Sequence, residues 1–321
     1  QEMERKDEFA ELMKVEDKYE LSVQICSHNR KNVLQVVLES LKDQTLPADR
    51  FEVVLVDDGS TDGTKEMAEG LDLPYHLTVL RHEKNAGLST ARNTGLRACR
   101  GRVILIIDDD VIADPDLLRQ HVLTHASYDK IVCNGWVNHV SEPKRPQNPQ
   151  FTMADISTSF FWTSNVSVKR RHLLAIGGFD EDFKEYGWED QEVGLRLMAL
   201  GLKKQNNYKA IGFHVKRTPQ RKDIPRMLKQ AEAKGRTAVL YVEKHDRPRS
   251  RLSTGIHAAR LAVYKLTRVG DWLQKMCLER LNRPDMSDDT PLTGFDAWCA
   301  RQLSTIHYFD AIENTLNNEQ K

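Results

Sequence analysis

Several features are scarce in this 321-residue chain, and each absence excludes a class of protein. The five cysteines are scattered, with none at metal-ligand spacing, which argues against a disulfide framework and favours reduced thiols. Lysine plus arginine equals aspartate plus glutamate, 47 against 47, so the overall charge does not indicate a nucleic-acid partner. No apolar run approaches the ~20 residues that span a bilayer, and the densest covers only residues 103–107.

The first twenty residues are heavily charged and lack the apolar stretch of a secretion signal, which predicts a cytoplasmic protein. Basic residues outnumber acidic ones over residues 203–283, and part of this segment is amphipathic. Two interpretations of this segment stay open. It either docks peripherally on anionic lipid at the inner face of a membrane, or forms a helical bundle with a solvated basic face.

The order of apolar patterns predicts an α/β protein. Strand-like runs cover residues 21–26, 51–56, 77–81 and 103–107, and segments with helical spacing lie between them. Alternation of this kind predicts a Rossmann-like, mostly parallel central sheet with helices on both faces. In such sheets ligands bind beyond the carboxyl ends of the strands.

Changes in composition divide the chain into three parts. Residues 1–18 have the pattern of a polar helix, and residues 19–218 contain the strand and helix alternation. From residue 219 to residue 321 the pattern is helical, which predicts a C-terminal helical appendage.

Three consecutive aspartates, Asp108, Asp109 and Asp110, follow the fourth predicted strand. Adjacent carboxylates repel one another, so a fold tolerates them best where a cation compensates their charge. On an extended segment residues i and i+2 point the same way, which predicts that Asp108 and Asp110 share a divalent metal ion while Asp109 points elsewhere. Such an ion normally also binds substrate phosphates. A solvated acidic turn is the alternative, but the buried strand before the triplet favours the metal site.

Two polar turns precede the triplet. Asp57 and Asp58 end the second predicted strand, where a carboxylate can accept a hydrogen bond from a nucleotide base; a turn leading into a capped helix explains them equally well. Arg92 lies in the following helix, from which it can reach a diphosphate or a base. A surface arginine after a glycine turn is the alternative there.

The segment Trp188-Glu189-Asp190 combines an aromatic residue with two acids. An acid beside an aromatic ring is partly desolvated, which favours a general base, and the indole offers an apolar platform for a sugar. The same acids also suit the positive end of a helix dipole. His214 stands alone in an apolar strand, and by itself it is typical of a core histidine.

Taken in order, these motifs resemble the large family-2 type of inverting glycosyltransferases with the GT-A fold. The resemblance runs from about Leu21 to His214, roughly two thirds of the chain. Its pieces are Ser-His-Asn-Arg, Val-Asp-Asp-Gly-Ser-Thr-Asp-Gly-Thr, Asn-Ala-Gly-Leu-Ser-Thr-Ala-Arg-Asn, Ile-Asp-Asp-Asp, Gly-Gly-Phe-Asp-Glu and Trp-Glu-Asp. Each piece is weak alone, and the ordered set is specific.

The resemblance implies a role for each motif. The nucleotide-sugar side would be formed by His28, Arg30, Asp57 or Asp58, Arg92 and Asp109. The metal would be held by Asp108, Asp110 and His214, with Asp110 as the more direct ligand. Asp190 would be the catalytic base, with Glu189 beside it. The acceptor side would be lined by Asn165 and Trp188.

The implied activity is that of a metal-dependent hexosyltransferase. It would use Mn²⁺ or Mg²⁺ to move a sugar from a nucleoside-diphosphate sugar, most commonly a UDP-sugar, to a hydroxyl of a glycan or lipid-linked acceptor, as in polysaccharide biosynthesis. The Gln-x-x-Arg-Trp helix of processive polymerases is missing, which favours single transfers.

Two alternative functions remain. A sugar nucleotidyltransferase would carry a glycine- and arginine-rich loop after the first strand, where this chain has Ser27-His28-Asn29-Arg30. A non-catalytic carbohydrate-binding scaffold would not need the intact set of acids.

Overall fold

The computed structural model describes residues 2–152, 155, 157–267 and 271–319. Its strands are β1 Tyr19–Ser27, β2 Phe51–Asp57, β3 His76–Arg81, β4 Gly101–Ile107, β5 Val111–Ala113, β6 Ile131–Val140, β7 Asn165–Lys169 and β8 Lys203–Val215. Its helices are α1 Glu2–Leu12, α2 Lys31–Ser40, α3 Thr64–Glu69, α4 Leu88–Ala98, α5 Leu117–Ser127, α6 Arg170–Ala175, α7 Glu189–Ala199, α8 Ile224–Lys244, α9 Pro248–Thr254, α10 Ala258–Thr267, α11 Trp272–Leu281 and α12 Gly294–Glu319.

The strands form one curled sheet in the order β3-β2-β1-β4-β7-β6-β8-β5. The first four strands in this order pair in parallel, and β6 pairs in parallel with β8. Only β7 and β5 run against their neighbours. The predicted mostly parallel α/β architecture is therefore confirmed, although the sequence pattern did not reveal the two reversed strands.

The sheet is buried because helices cover both of its faces. Alternate residues of β4 point to opposite sides, so Leu105 joins the core formed with α2 and α5, while Ile104 and Ile106 join the core formed with α1, α4, α6 and α7. All seven residues of β2 are buried. This two-sided burial explains why the strands have continuous apolar sequences rather than alternating ones.

The chain divides into two compact units. The first contains Gln1–Lys184 and Glu189–Arg217, and the second contains Glu185–Trp188 and Thr218–Lys321. The second unit is helical, and one of its cores joins α11 to α12 through Cys277, Leu281 and Leu303.

Two global properties follow from the described residues. All five cysteines are free thiols. Across the described ranges, no helix is both long enough and apolar enough to traverse a bilayer.

Candidate active site

The polar turns predicted from the sequence meet at one edge of the sheet. Parallel pairing places Ser27, the last residue of β1, beside Asp57, the last residue of β2. The backbone N–H of Asp58 then donates to the carbonyl of Ser27 at 2.9 Å. Because β4 also pairs in parallel with β1, its aspartate triplet leaves the sheet at the same edge.

The turn after β2 is held by Asp58. One carboxylate oxygen accepts from the His82 ring at 2.7 Å and from the Ala86 N–H at 2.9 Å, and the other accepts from the Gly87 N–H at 3.2 Å. Gly59 has a φ of +77°, and a Cβ there would lie 2.6 Å from the Asn85 nitrogen. Asp58 therefore fastens the turn to the loop that begins α4.

Asp57 is placed differently from its neighbour. The side chain is fully buried, and its Oδ1 accepts the Ser60 N–H at 2.8 Å. Its Oδ2 is buried without a hydrogen-bond donor among the described residues, and Arg81 Nε lies 3.6 Å away. Of the two carboxylates, Asp57 thus keeps an acceptor available for a ligand.

His28 and Asn29 form the rim of this turn. His28 is exposed, and its Nδ1 lies 2.8 Å from the carbonyl oxygen of Asp58. Asn29 adopts a φ of 53° and accepts the Thr61 N–H at 2.8 Å, which ties the loops after β1 and β2 together. His28 therefore lies at the exposed rim of this turn, and its predicted contact with a nucleotide stays a prediction.

The aspartate triplet forms a tight turn rather than an extended segment. The Val111 N–H donates to the Asp108 carbonyl at 3.1 Å, so Asp109 and Asp110 occupy the centre of the turn. Asp108 accepts from the Ser164 hydroxyl, and Asp109 accepts from the Ser27 hydroxyl, each at 2.6 Å. The expectation that Asp109 points away from Asp110 is wrong, because the alternation of an extended strand does not apply in a turn.

Arg30 lies across this turn and contacts two of its acids. Its guanidinium is 3.3 Å from Asp109 Oδ1 and 2.6 Å from Asp110 Oδ2. Burial raises the pKa of Asp109 to about 7 although Arg30 and Ser27 oppose the shift. Burial also acts to raise the pKa of Asp110, but His214 and Arg30 together hold it below its ordinary value. Arg30 therefore supplies the positive charge that compensates the triplet in this structure.

His214 reaches the triplet through the pairing of β5 with β8. Val111 stands opposite His214 in this antiparallel pair, and His214 Nε2 lies 3.2 Å from Asp110 Oδ1. His139 on β6 is the register partner of His214, and the two ring centroids are 5.3 Å apart. Sequence analysis missed His139, since only the register between β6 and β8 places it there.

The acids of the triplet turn and His214 are the candidate ligands of a divalent ion. In the ranges that the structure describes, no group of three or more histidine, cysteine, aspartate or glutamate side chains is arranged to hold a metal. Asp110 Oδ1 and His214 Nδ1 are nevertheless buried without hydrogen bonds of good geometry. A carboxylate and an imidazole in contact are suitable ligands for Mn²⁺. Asp110 and His214 are therefore chemically suitable ligands for such an ion. Arg30 contacts the other Asp110 oxygen, Oδ2.

The two acids at the start of α7 have different environments. Glu189 is 6% exposed and pairs at 3.0 Å with Arg92, which is 3% exposed and also lies over the Phe179 ring. Asp190 is only partly buried, and its Oδ1 accepts the Gln191 N–H at 2.7 Å. Arg92 is therefore committed to Glu189 instead of facing a diphosphate or base as predicted, and Glu189 is held as a buried partner.

Asn165 differs from its predicted acceptor-side position. It is fully buried at the start of β7, where its amide donates to the carbonyls of Trp136 and Ala210 and its Oδ1 lies 2.9 Å from His121 Nε2. The whole amide is therefore used inside the fold. The sequence could not show this, because Asn165 begins one of the two unpredicted reversed strands.

Trp188 belongs to the second unit. Its indole N–H donates to the Lys234 carbonyl at 3.1 Å, and its ring stacks on Tyr241 with centroids 5.3 Å apart. The ring is 9% exposed, and Trp188 has an unusual φ of 69°. It is adjacent in sequence to Glu189, the first residue of α7.

Two protein-family models match this chain. The model described as glycosyl transferase family 2 matches residues 22–181. The model described as the N-terminal domain of galactosyltransferase matches residues 149–230. Together they cover the first three polar turns as well as the segment that contains Asp190 and His214.

Curated relatives carry glycosyltransferase names. The uncharacterized glycosyltransferase YfnE of Bacillus subtilis (strain 168) is 29% identical, over 56% of this chain and 61% of its own length. Validoxylamine A glucosyltransferase of Streptomyces hygroscopicus subsp. jinggangensis (strain 5008) is 31% identical, over 57% of this chain and 52% of its own. The chain thus spans only part of the length of these relatives.

Solved structures share the fold. The mannosyltransferase PcManGT from Pyrobaculum calidifontis, in complex with GDP-Man and Mn²⁺, has a TM-score of 0.57 and 19% identity, covering 98% of this chain and 94% of that chain. S. aureus TarS 1–349, in complex with UDP-GlcNAc, has a TM-score of 0.52 and 19% identity, covering 93% and 92%. At these identities the likeness concerns the fold.

Proposed function

We propose that this chain, whose residues 22–181 match the glycosyl transferase family 2 model, is a metal-dependent, inverting glycosyltransferase. It transfers one sugar at a time from a nucleoside-diphosphate sugar, with a UDP-sugar as the first candidate, to a hydroxyl of a glycan or lipid-linked acceptor. The observation that carries this proposal is the meeting of the Asp57 turn and the Asp108–Asp110 turn at one edge of the sheet, each with a buried carboxylate oxygen that lacks a hydrogen bond.

The Asp57 turn is proposed to bind the base. Its Oδ2 is a buried acceptor, and the ring N–H of a uracil or guanine is a donor that would satisfy it. Asp58 is the weaker candidate of the pair, because both of its oxygens already accept hydrogen bonds from the protein. His28 and Arg30 are exposed at the same edge of the sheet, where His28 contacts the Asp58 carbonyl and Arg30 contacts Asp109 and Asp110.

The second turn is proposed to bind the diphosphate end. Asp110, His214 and Asp108 would hold Mn²⁺ or Mg²⁺, which when bound would neutralise charge on the departing diphosphate. Arg30 now pairs with Asp109 and Asp110. Its five-donor guanidinium is equally suited to a phosphate, so Arg30 can exchange a carboxylate for a donor phosphate as the substrate enters.

Asp190 is proposed as the general base. It takes the proton of the acceptor hydroxyl while the acceptor oxygen bonds to the anomeric carbon and the bond to the diphosphate breaks on the opposite side. Attack in line inverts the configuration without a covalent sugar-enzyme intermediate. Glu189 is held by Arg92, and this pair positions the start of α7 so that Asp190 remains partly exposed.

The test is an Asp190→Asn variant assayed with a panel of nucleotide sugars and Mn²⁺ for release of nucleoside diphosphate. We expect turnover to fall ~100- to ~10,000-fold, the range for a positioned base, with nucleotide affinity nearly unchanged. The control is Asp72→Asn, which changes an exposed carboxylate that is distant in sequence from Asp190. Unchanged turnover in Asp190→Asn would remove the residue from the mechanism, and release of pyrophosphate would identify a nucleotidyltransferase instead.

Peripheral membrane contact is a proposal for the second unit alone. Its α10 and α11 expose Leu266 and Trp272, which are 71% and 62% exposed, together with Lys265 and Lys275. Apolar side chains interleaved with lysines suit an anionic lipid surface. Co-sedimentation with vesicles rich in anionic lipid should exceed that with neutral vesicles, and equal sedimentation would reject the contact.

A further inference from the structure

The second unit contains a cavity of about 540 Å³. Its walls come from α8, α9, α10 and α12 and from Trp188, all within this unit. The volume lies in the range of ~300 to ~1,000 Å³ that small-molecule sites occupy. Aromatic side chains contribute to the lining through Trp188, Tyr308 and Phe309.

The charged groups of this cavity are cationic. Lys234 and Arg260 line it, and none of its lining residues is acidic. Lys234 lies over the Trp188 ring at 5.5 Å and Arg260 lies over the Phe309 ring at 5.3 Å. Among the described residues, neither Lys234 nor Arg260 forms an ion pair. Both side chains can therefore pair with a negatively charged group of a ligand.

The hydroxyl groups of the lining are already committed as donors. Each one donates to a backbone carbonyl at 3.0 Å or less: Ser253 and Thr254 to Ser250, Ser304 to Ala300, Thr305 to Arg301, and Tyr308 to Thr254. His257 accepts the Arg260 N–H on Nδ1, which leaves Nε2 as the protonated nitrogen of the neutral ring. The donors available to a ligand are therefore Lys234, Arg260 and His257, which favours a ligand that presents negative oxygens.

Trp188 lines this cavity and immediately precedes α7 in the sequence. It has a φ of +69°, a left-handed backbone that a bulky residue seldom adopts, and it is held there by the Lys234 carbonyl and the Tyr241 ring. Backbone strain of this kind concentrates at functional sites. The residue that follows Trp188 begins the helix that carries the proposed base.

We propose that this cavity binds an anionic sugar, a pyranose that carries a phosphate or a carboxylate. Lys234 and Arg260, each held over an aromatic ring of the wall, bind the anionic group, and Tyr308 packs against the sugar ring.

The experiment measures binding without a nucleotide sugar. The intact chain is titrated with glucose 6-phosphate, with methyl glucuronide and with neutral methyl glucoside. Binding is measured by calorimetry and by saturation-transfer NMR. We expect at least one anionic sugar to bind about tenfold tighter than the neutral one, with the preference reduced by salt. Arg260→Gln, at an exposed position, should remove most of this preference, and Lys275→Gln on α11 is the control that should retain it.

The arms of the experiment separate the two proposals. A stronger response to glucose 6-phosphate identifies a phosphate ligand, and a stronger response to the glucuronide identifies a carboxylate ligand. Equal binding of all three sugars, or binding of none while UDP binds, overturns the cavity proposal and leaves the proposed function intact. Binding of an anionic sugar by a protein that turns over no nucleotide sugar supports the cavity proposal and rejects the proposed function alone.

Discussion

The sheet edge and the interior beneath β7 contain the same kinds of buried polar side chain but use them differently. At the edge, Asp57, Asp110 and His214 each keep a buried polar atom without a hydrogen bond. Beneath β7, a group that we call the polar core cluster pairs its members with one another. The cluster consists of His121, His125, Asn165 and Ser167. Its one unbonded atom is His125 Nδ1.

This difference separates a structural use of polarity from a functional one. A buried polar atom without a partner costs ~1–3 kcal/mol, so a fold has reason to remove it unless a ligand satisfies it. The polar core cluster stabilises the fold because all of its side-chain polar atoms except His125 Nδ1 form hydrogen bonds within the protein. The sheet edge retains unsatisfied acceptors of the type that a nucleotide base and a divalent cation bind.

The largest expected effect comes from removing the Asp110 carboxylate at the edge of the sheet. Asp110→Ala should lower metal-dependent UDP affinity by ~1,000-fold or more, because it deletes the proposed ligand that contacts His214. Calorimetry with Mn²⁺ and then with EDTA measures this directly. The exposed Asp72→Ala variant should bind as the parent does. Full metal-dependent affinity in Asp110→Ala would mean that Asp110 is not a ligand of the metal.

The next effect acts on stability through the polar core cluster. Asn165→Ala should reduce the free energy of unfolding by about 3 kcal/mol, because it leaves His121 and two backbone carbonyls without their partner. Urea denaturation measures the loss, and Asn32→Ala at an exposed position on α2 is the control. If stability were unchanged and the KM for the acceptor rose instead, Asn165 would have the acceptor role that its motif implies.

A smaller effect distinguishes the two aspartates after β2. Asp57→Asn should weaken UDP binding about tenfold with little change in Tm, since its Oδ2 has no protein donor. Asp58→Asn should instead lower Tm, because it disrupts the hydrogen bonds to the loop that begins α4. Titration with UDP and thermal denaturation of both variants test this pair. The reverse pattern would assign the base to Asp58.

The smallest effect concerns pH. Burial lowers the pKa of His125 to about 3, below its unfolded value of 6.5, so the folded state excludes a proton that the unfolded state binds. The parent therefore loses stability as the pH falls below 6.5. His125→Gln lacks this loss, so the stability gap between the two proteins should narrow by about 1 kcal/mol between pH 7 and pH 5.5.

Urea denaturation at the two pH values measures this gap. The opposite contribution of Asp109, whose pKa is raised to about 7, is present in both proteins and cancels in the difference. His76→Gln, at an exposed position, should keep a constant gap to the parent. A constant gap for His125→Gln would show that folding does not change the pKa of His125.

The sequence predicted the features that depend on local pattern. Continuous apolar strands such as 51–56 and 103–107 predicted the parallel sheet, and the polar residues after them predicted where its edge would be. Features that depend on pairing between distant segments were missed. The turn at Asp109 and the partnership of Arg92 with Glu189 arise from tertiary contacts, which residue spacing does not contain.

The pairing of β6 with β8 has a consequence for how the site can change. Gly135 pairs with Asn207, but the next residue, Trp136, pairs with Ile211, so β8 carries three additional residues at this bulge. The number of residues in the bulge determines which side chain of β8 stands opposite Val111. Deleting one of them would move His214 to the other face of the sheet, because side chains alternate along a strand. The histidine beside Asp110 is therefore specified by chain length as much as by residue identity, and a length change remote from the triplet can abolish the pair while every site residue is retained.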